Sequence, residues 1–154
     1  MSLTRGSEVE RLYREESGRL WRSIVAATGN REVADDAVAE AFTLALEAFP
    51  SIREPVRWLW RVAFRLAWRD IRRRGLEAGS MIEDTYEDRH ADPGLIRALH
   101  RVSPNQRTAL VLHYYADLPV KEVAAAMDTT AAVVRVHLLR GRRRLKSLLE
   151  GDHG

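Results

Sequence analysis

The sequence contains no cysteine, and this absence excludes disulfide bonds and zinc sites with cysteine ligands. No apolar run is long enough to cross a bilayer, and the first residues lack the apolar segment of a signal peptide. We therefore expect a cytoplasmic protein that does not insert into a membrane.

Motifs of catalysis are also missing. The five histidines are scattered, and the sequence has no HExxH pair, no phosphate-binding Walker loop and no calcium-loop spacing of acids. We expect no enzyme and no metal or other cofactor. An enzyme or nuclease that uses the acids and histidines is the alternative, and its activity would disappear in a metal chelator.

No segment shows a convincing strand pattern, because apolar residues recur at helical spacing along most of the chain. Residues with known preferences for helix ends divide this pattern. The start signals are Ser7 with Glu10, Asn30, Pro55, Asp92 with Pro93, Ser103 with Pro104 and Gln106, Pro119 and Thr130, and the stop signals are Gly29 and Gly75. The fold class is predicted to be all-α.

Arginine is concentrated in two helical segments, one from Pro55 to Arg74 and one from Ala131 onward, although the net charge of the 154 residues is only +3. Two basic blocks favour two contacts with one long polyanion, usually a nucleic acid. The stretch between them carries Glu77, Glu83, Asp84, Glu87 and Asp88. We predict two small helical domains, 1–75 and 92–154, joined by an acidic linker over 76–91.

The segment from Leu118 to Leu145 has the pattern of a helix-turn-helix: a short helix, a tight turn at Asp128 and a second, basic helix. The major groove of DNA accepts such a second helix, whose early residues reach base edges. The alternative is a charged, solvated helix on a generic bundle.

The same region resembles the C-terminal domain of bacterial sigma factors, most closely the extracytoplasmic-function group. The matching motifs are Pro104-x-Gln106-Arg107-x-Ala109-Leu110-x-Leu112-x-Tyr114, Leu118-Pro119-x-Lys121-Glu122-Val123-Ala124, Thr130-x-x-Val133-Val134-Arg135 and Arg140-x-Arg142-x-Arg144-Leu145. The family usually has Gly at Asp128 and Ser or Thr at Val136. The resemblance implies readout of the −35 promoter duplex by Lys121, Thr130, Arg135, His137, Leu139, Arg140 and Arg144.

The segment from Ala34 to Phe42 resembles the family's helix that docks on the β′ clamp of RNA polymerase, with Ala39 in place of the usual Gln. The resemblance implies core polymerase contacts by Asp35, Asp36, Glu40 and Phe42. An ordinary amphipathic helix with solvated acids is the alternative.

The helix that begins at Pro55 has arginines four residues apart and three interleaved tryptophans. Each step of four overshoots a helical turn by about 40°, so the row winds slowly around the helix. A positive track with aromatic faces is typical of single-strand binding. The resemblance implies binding of the −10 element by Arg57, Trp60, Arg61, Arg65, Arg69, Arg72 and Arg73. Trp58 is the tryptophan expected to be buried, and a basic membrane-surface helix is the alternative.

Two departures from the family lie here: Arg65 replaces a common Asn, and the loop from Phe49 to Glu54 is short. The resemblance implies a sigma factor that binds promoter DNA and also binds core RNA polymerase through the β′ clamp and the β flap. It further implies regulation by an anti-sigma factor. The alternative is a sigma-like DNA-binding regulator without initiation activity.

Overall fold

The computed structural model describes residues 2–76 and 92–151, and these two stretches contain helices and no strand. The helices are α1 (Ser2–Thr28), α2 (Arg31–Ala48), α3 (Pro55–Arg74), α4 (Pro93–His100), α5 (Pro104–Leu110), α6 (Val120–Met127) and α7 (Ala131–Gly151), with a π-helical turn at Val111–Tyr115 after α5. The prediction of an all-α fold is confirmed. The predicted acidic linker lies outside the described residues except for Leu76.

Most of the predicted helix ends are confirmed by their caps. The Asn30 side chain accepts a hydrogen bond from the Val33 amide at 2.9 Å, and this bond satisfies a free amide in the first turn of α2. Asp92, Ser103 and Thr130 cap α4, α5 and α7 in the same way. Gly75 ends α3 with φ 68°, a left-handed conformation that glycine adopts without steric cost.

The start of the first helix differs from the prediction. Helix α1 begins at Ser2, so Ser7 lies inside it and the predicted capping box at Ser7 and Glu10 is wrong. A serine within a helix costs only a fraction of a kcal/mol, about 0.5, relative to alanine, and does not end the helix. Capping signals indicate where a helix can begin, and here the helix extends beyond one.

The N-terminal half is a bundle of α1, α2 and α3. Each helix contributes one apolar face to a shared core, in which Leu20, Ile24, Val33, Leu59 and Phe64 are fully buried. Alanines on α2 allow the neighbouring helices to approach closely, since Ala34, Ala41 and Ala45 are also without exposed surface. This bundle fixes the direction of the basic face of α3.

The C-terminal half contains the predicted helix-turn-helix, formed by α6, its turn and α7. Val123 on α6 and Val134 on α7 are fully buried between the elements, with Leu112 from the π-helical turn. Asp128 joins α6 to α7 with φ 57° and ψ 46°. This left-handed geometry confirms the predicted tight turn, and Asp tolerates it better than most residues other than glycine.

The two halves pack against each other rather than lying apart. Helix α6 lies on α3, and α5 lies on the end of α1. The Arg107 guanidinium, on α5, donates a hydrogen bond to the Ala27 carbonyl, on α1, at 3.2 Å. The basic face of α3 and the helix-turn-helix are therefore neighbours.

Candidate nucleic-acid interface

Helix α7 buries one side against the C-terminal half and exposes the other. Val134, Leu138, Gly141 and Leu148 form its buried line. Of the residues that the resemblance implied for DNA contact, Lys121, Thr130, Arg135, Leu139, Arg140 and Arg144 are exposed. The Thr130 hydroxyl also caps α7, so it has a structural role beside any contact with DNA.

His137 differs from the other predicted readers on α7, because its side chain is only half exposed. Burial lowers the pKa of its imidazole below the usual value, and the nearby positive charge of Arg140 lowers it further. His137 therefore favours the neutral form and lies toward the edge of the packed side of α7.

The arginine row of α3 faces acids as well as solvent. Arg61 pairs with Glu122 of α6 at 2.9 Å. Three further arginines surround the single carboxylate of Asp128: Arg65 and Arg69 at 3.7 Å, and Arg72 at 3.3 Å. We call these four ion pairs the α3–turn contact. It joins the predicted −10 surface to the helix-turn-helix.

The two other predicted arginines of this row pair locally. Arg57 contacts Glu54 at 3.2 Å, and Arg73 contacts Asp70 at 2.8 Å. Both arginines are exposed, and so is Glu54, so the Arg57–Glu54 pair is worth less than about 1 kcal/mol. Asp70 is 12% exposed and also pairs with Arg74 at 2.8 Å, so it does not depend on Arg73 for a partner. These local pairs leave Arg57 and Arg73 able to exchange a carboxylate for a phosphate.

The prediction that Trp60 contacts DNA is corrected by its position in the core. Trp60 is 1% exposed, stacks on Phe64 with ring centroids 6.0 Å apart, and donates from Nε1 to the Glu16 carboxylate at 3.0 Å. Trp58, which was expected to be the buried tryptophan, is only half-buried. Trp60 belongs to the row that continues through Phe64, Ala67 and Ile71, and this row faces the bundle.

A partly buried polar cluster packs around Trp60, and the sequence analysis does not predict it. Arg19 lies over the Trp60 ring at 5.6 Å, pairs with Glu16 at 3.1 Å, and donates to the Tyr115 hydroxyl at 3.3 Å. Its members come from α1, α3 and the π-helical turn. No local pattern reveals such a cluster, because Glu16 and Trp60 are 44 residues apart.

The predicted polymerase-binding residues divide into three exposed acids and one core residue. Asp35 accepts a hydrogen bond from Trp21 at 2.6 Å, Asp36 pairs with Arg74 at 2.8 Å, and Glu40 is exposed on the same helix. Phe42 is 7% exposed and packs edge-on against the Tyr13 ring, so its prediction as a contact residue is corrected to a core role.

A cavity of about 290 Å³ opens where the short loop meets the start of α3. The loop contributes Ser51, Ile52, Arg53 and Glu54, and the helices contribute Ala48, Arg57, Trp58, Arg61 and Glu122. The half-buried Trp58 gives it an aromatic wall and the arginines give it positive charge. The sequence did not predict a cavity, since it depends on how the loop folds back over α3.

Within residues 2–76 and 92–151, no group of three or more histidines or acids is placed to hold a metal ion. None of the helices in that part of the chain has the length and apolar character to span a membrane.

Comparison with known proteins places residues 94–145 in one family model, described as "Sigma-70, region 4". The ECF RNA polymerase sigma factor SigE of Mycolicibacterium smegmatis is 27% identical over 91% of this chain and 61% of its own length. The ECF sigma factor BldN of Streptomyces coelicolor is 25% identical over 92% of this chain and 60% of its own length. The chain thus spans about three fifths of these relatives.

Solved structures share the fold. The sigma factor RpoE from Bartonella quintana, in complex with the anti-sigma factor NepR, matches with a TM-score of 0.69 at 17% identity, covering 93% of this chain and 97% of RpoE. The extracytoplasmic-function sigma factor SigJ of Mycobacterium tuberculosis matches with a TM-score of 0.59 at 26% identity, covering 91% of this chain and 53% of SigJ.

Proposed function

We propose that the chain works as a sigma factor, on the premise that it belongs with the extracytoplasmic-function sigma factors and contains their region 4 over residues 94–145. The matches confirm the resemblance that the sequence motifs indicated. The protein would bind core RNA polymerase and direct it to specific promoters, acting in the bacterial cytoplasm and performing no covalent chemistry itself. The region 4 match, which covers the helix-turn-helix, is the observation that carries this proposal.

The proposal assigns the −35 duplex to a C-terminal domain, 92–154. Its support is the helix-turn-helix geometry of α6 and α7 and the exposure of Arg135, Leu139 and Arg140 along the second helix. Arginine forms bidentate hydrogen bonds with guanine in the major groove, and later cations contact phosphates. Arg144 and Lys121 are assigned to phosphate contacts.

The proposal assigns the −10 element to an N-terminal domain, 1–75, through the arginines of α3. The cavity beside the loop supports this assignment, because it is large enough for a single unstacked base and carries Trp58 and three arginines on its wall. Trp60 has no part in it. Arg61, Arg65, Arg69 and Arg72 pair with carboxylates of the C-terminal half in this structure, and their side chains remain 33–52% exposed. DNA phosphates would therefore compete with Glu122 and Asp128 for these arginines.

Core polymerase is assigned to the exposed acids of α2, Asp35, Asp36 and Glu40, which would meet a basic partner on the β′ clamp. The C-terminal domain is assigned the β flap, and residues 76–91 the connection between the two sites. Regulation by an anti-sigma factor is proposed because RpoE, which shares this fold, was solved with one.

Run-off transcription with bacterial core RNA polymerase tests the proposal. A library of promoter fragments is transcribed with and without the chain, and we expect transcripts from a defined subset only when the chain is present. An Arg140→Ala variant should lose those transcripts while leaving binding to core polymerase unchanged. Sequence-specific DNA binding without any promoter-dependent transcript would favour a DNA-binding regulator instead.

A further inference from the structure

The outward face of the first turns of α7 is apolar, although the helix as a whole is rich in arginine. Val133 is 40% exposed, Val136 43% and Leu139 41%. Large aliphatic side chains at the tip of a DNA-reading helix are desolvated only when a partner covers them. We call these three residues the α7 ridge.

The direction of the ridge follows from helix geometry. At about 100° per residue, Val136 lies roughly opposite the buried line of Val134 and Leu138. Val133 and Leu139 lie about 60° to either side of Val136, whereas Arg135 and His137 lie about 100° away. The ridge therefore points away from the protein more directly than Arg135 or His137 does.

The ridge has no hydrogen-bonding group for a base edge. In the major groove the thymine methyl is the apolar group that such side chains contact. Against a G·C pair the same side chains would exclude water from donors and acceptors without replacing their hydrogen bonds, which is unfavourable. Arg143 is exposed beside the ridge and can hold it in the groove through a phosphate contact.

We propose that Val136, flanked by Val133 and Leu139, determines specificity by packing on thymine methyl groups in the −35 duplex. This inference rests on the proposed function, because it needs α7 to enter the major groove. It predicts thymines at the base pairs that the ridge contacts. The family usually has a hydroxyl-bearing residue at the position of Val136.

The first step of the test identifies the duplex. The full chain with core polymerase selects from a library in which the −35 region of a promoter fragment is randomised. Failure to enrich any sequence contradicts the proposed function itself. An enriched sequence that has only G·C pairs in its −35 region contradicts the ridge inference alone.

The second step removes methyl groups one at a time. Deoxyuridine, which keeps the O4 acceptor of thymidine but lacks the methyl, replaces each thymidine of the enriched −35 sequence. We expect the ridge positions to lose about fourfold in affinity per methyl group. A Val136→Ala variant should bind the thymidine duplex with a similar loss and should no longer distinguish thymidine from deoxyuridine there.

Two controls isolate the effect. Val56→Ala shortens a valine on α3 with the same 43% exposure, and this variant should distinguish thymidine from deoxyuridine as wild type does. Circular dichroism should show that Val136→Ala is folded, since alanine favours helix more than valine. The inference is overturned if deoxyuridine binds as well as thymidine at every position, or if Val136→Ala discriminates as wild type does.

Discussion

Arg107 is a buried charged residue whose guanidinium donates hydrogen bonds to backbone carbonyls of neighbouring elements. It is 1% exposed, and its guanidinium donates to the carbonyls of Ala27, Leu99, His100 and Val102, at distances of 3.2 to 3.4 Å. Burial lowers its pKa to about 10, which still leaves it charged at neutral pH. Arg107, which belongs to one of the motifs that resemble the family, therefore links α1, α4 and α5.

Replacing Arg107 by Met should lower the free energy of unfolding by roughly 3 kcal/mol, because several buried carbonyls lose their donor while the apolar volume is kept. Urea denaturation followed by circular dichroism measures the change. The free energy of unfolding of Arg107→Lys, which has fewer donors, should lie between those of wild type and Arg107→Met. Equal stability of wild type and the Met variant would show that the carbonyls find other donors.

His137 should make the C-terminal half sensitive to mild acid. Its pKa is lowered in the folded protein by burial and by Arg140, so below about pH 6.5 the unfolded chain binds more protons than the folded one. Its contribution to stability is complete above that pH and is lost as pH falls through the folded value. Melting temperatures at pH 7.5 and 5.5 should differ more for wild type than for His137→Gln.

Single residues also show the limit of sequence-based prediction. Caps at Asn30, Asp92 and Ser103 were predictable, because each acts within three residues of itself. Trp60 and Phe42 were predicted as contact residues but lie in the core. Exposed and buried positions alternate within one turn of an amphipathic helix, and the side chains that pack against each buried position come from helices distant in sequence. Which of several tryptophans is buried depends on the other helices.

At the scale of elements, α7 approaches α5 closely at Gly141. A Cβ built on Gly141 would lie 2.9 Å from Leu110 Cδ1 and 3.4 Å from Gln106 Cβ, and Leu110 is itself buried. The sequence does not predict this contact, because a glycine within a helical pattern can have several causes.

Gly141→Ala should therefore lower the free energy of unfolding by about 1 kcal/mol, since overpacking of 1–3 kcal/mol outweighs the gain of up to about 1 kcal/mol in helix propensity. Gly151→Ala, whose Cβ would meet nothing within 4 Å, is the matched control. Thermal unfolding distinguishes them, and equal or increased stability of Gly141→Ala would show that Leu110 moves aside easily.

The turn of the helix-turn-helix contacts α3 through one carboxylate, that of Asp128. Asp128→Asn keeps a residue that tolerates the left-handed turn and removes the charge shared by Arg65, Arg69 and Arg72. We expect tighter binding of single-stranded DNA by the free chain at low salt, about threefold or more, and a stability change below about 1 kcal/mol.

Fluorescence anisotropy with a labelled single-stranded oligonucleotide measures that binding. Asp117→Asn is the control, because Asp117 has the same left-handed backbone at φ 57° and is not among the ion-pair partners of these arginines in the described part of the chain. Equal gains in the two variants would mean that net charge, rather than the α3–turn contact, sets the affinity.

For the whole molecule, the sequence predicted two helical units and the helix-turn-helix, but not how the units meet. Local periodicity and caps specify each unit, whereas their packing depends on pairs such as Arg61 with Glu122, 61 residues apart. Both are ordinary charged residues on solvated helix faces when considered alone. The arrangement that pairs four of the predicted −10 arginines with carboxylates was therefore not predictable from the sequence.

The absence of cysteine allows this arrangement to be tested. Cysteines introduced at Arg61 and Glu122 are the only thiols in the chain, and a short bis-maleimide can join them without touching other residues. The joined protein should lose run-off transcription at least tenfold relative to the same variant before cross-linking, because α6 is then held on α3 and keeps the Asp128 carboxylate among its arginines. Full activity after complete cross-linking would show that the halves need not separate.

The Asp128 carboxylate also resembles a DNA phosphate: one anion held among three guanidinium groups. Under the proposed function, promoter DNA would not add a counter-charge to these arginines but would replace the one they already have. Capture of the strand and release of the Asp128 carboxylate would then be a single anion exchange, in which the departing anion belongs to the protein. The same exchange would free the turn before α7, so one displacement would couple the two proposed DNA contacts.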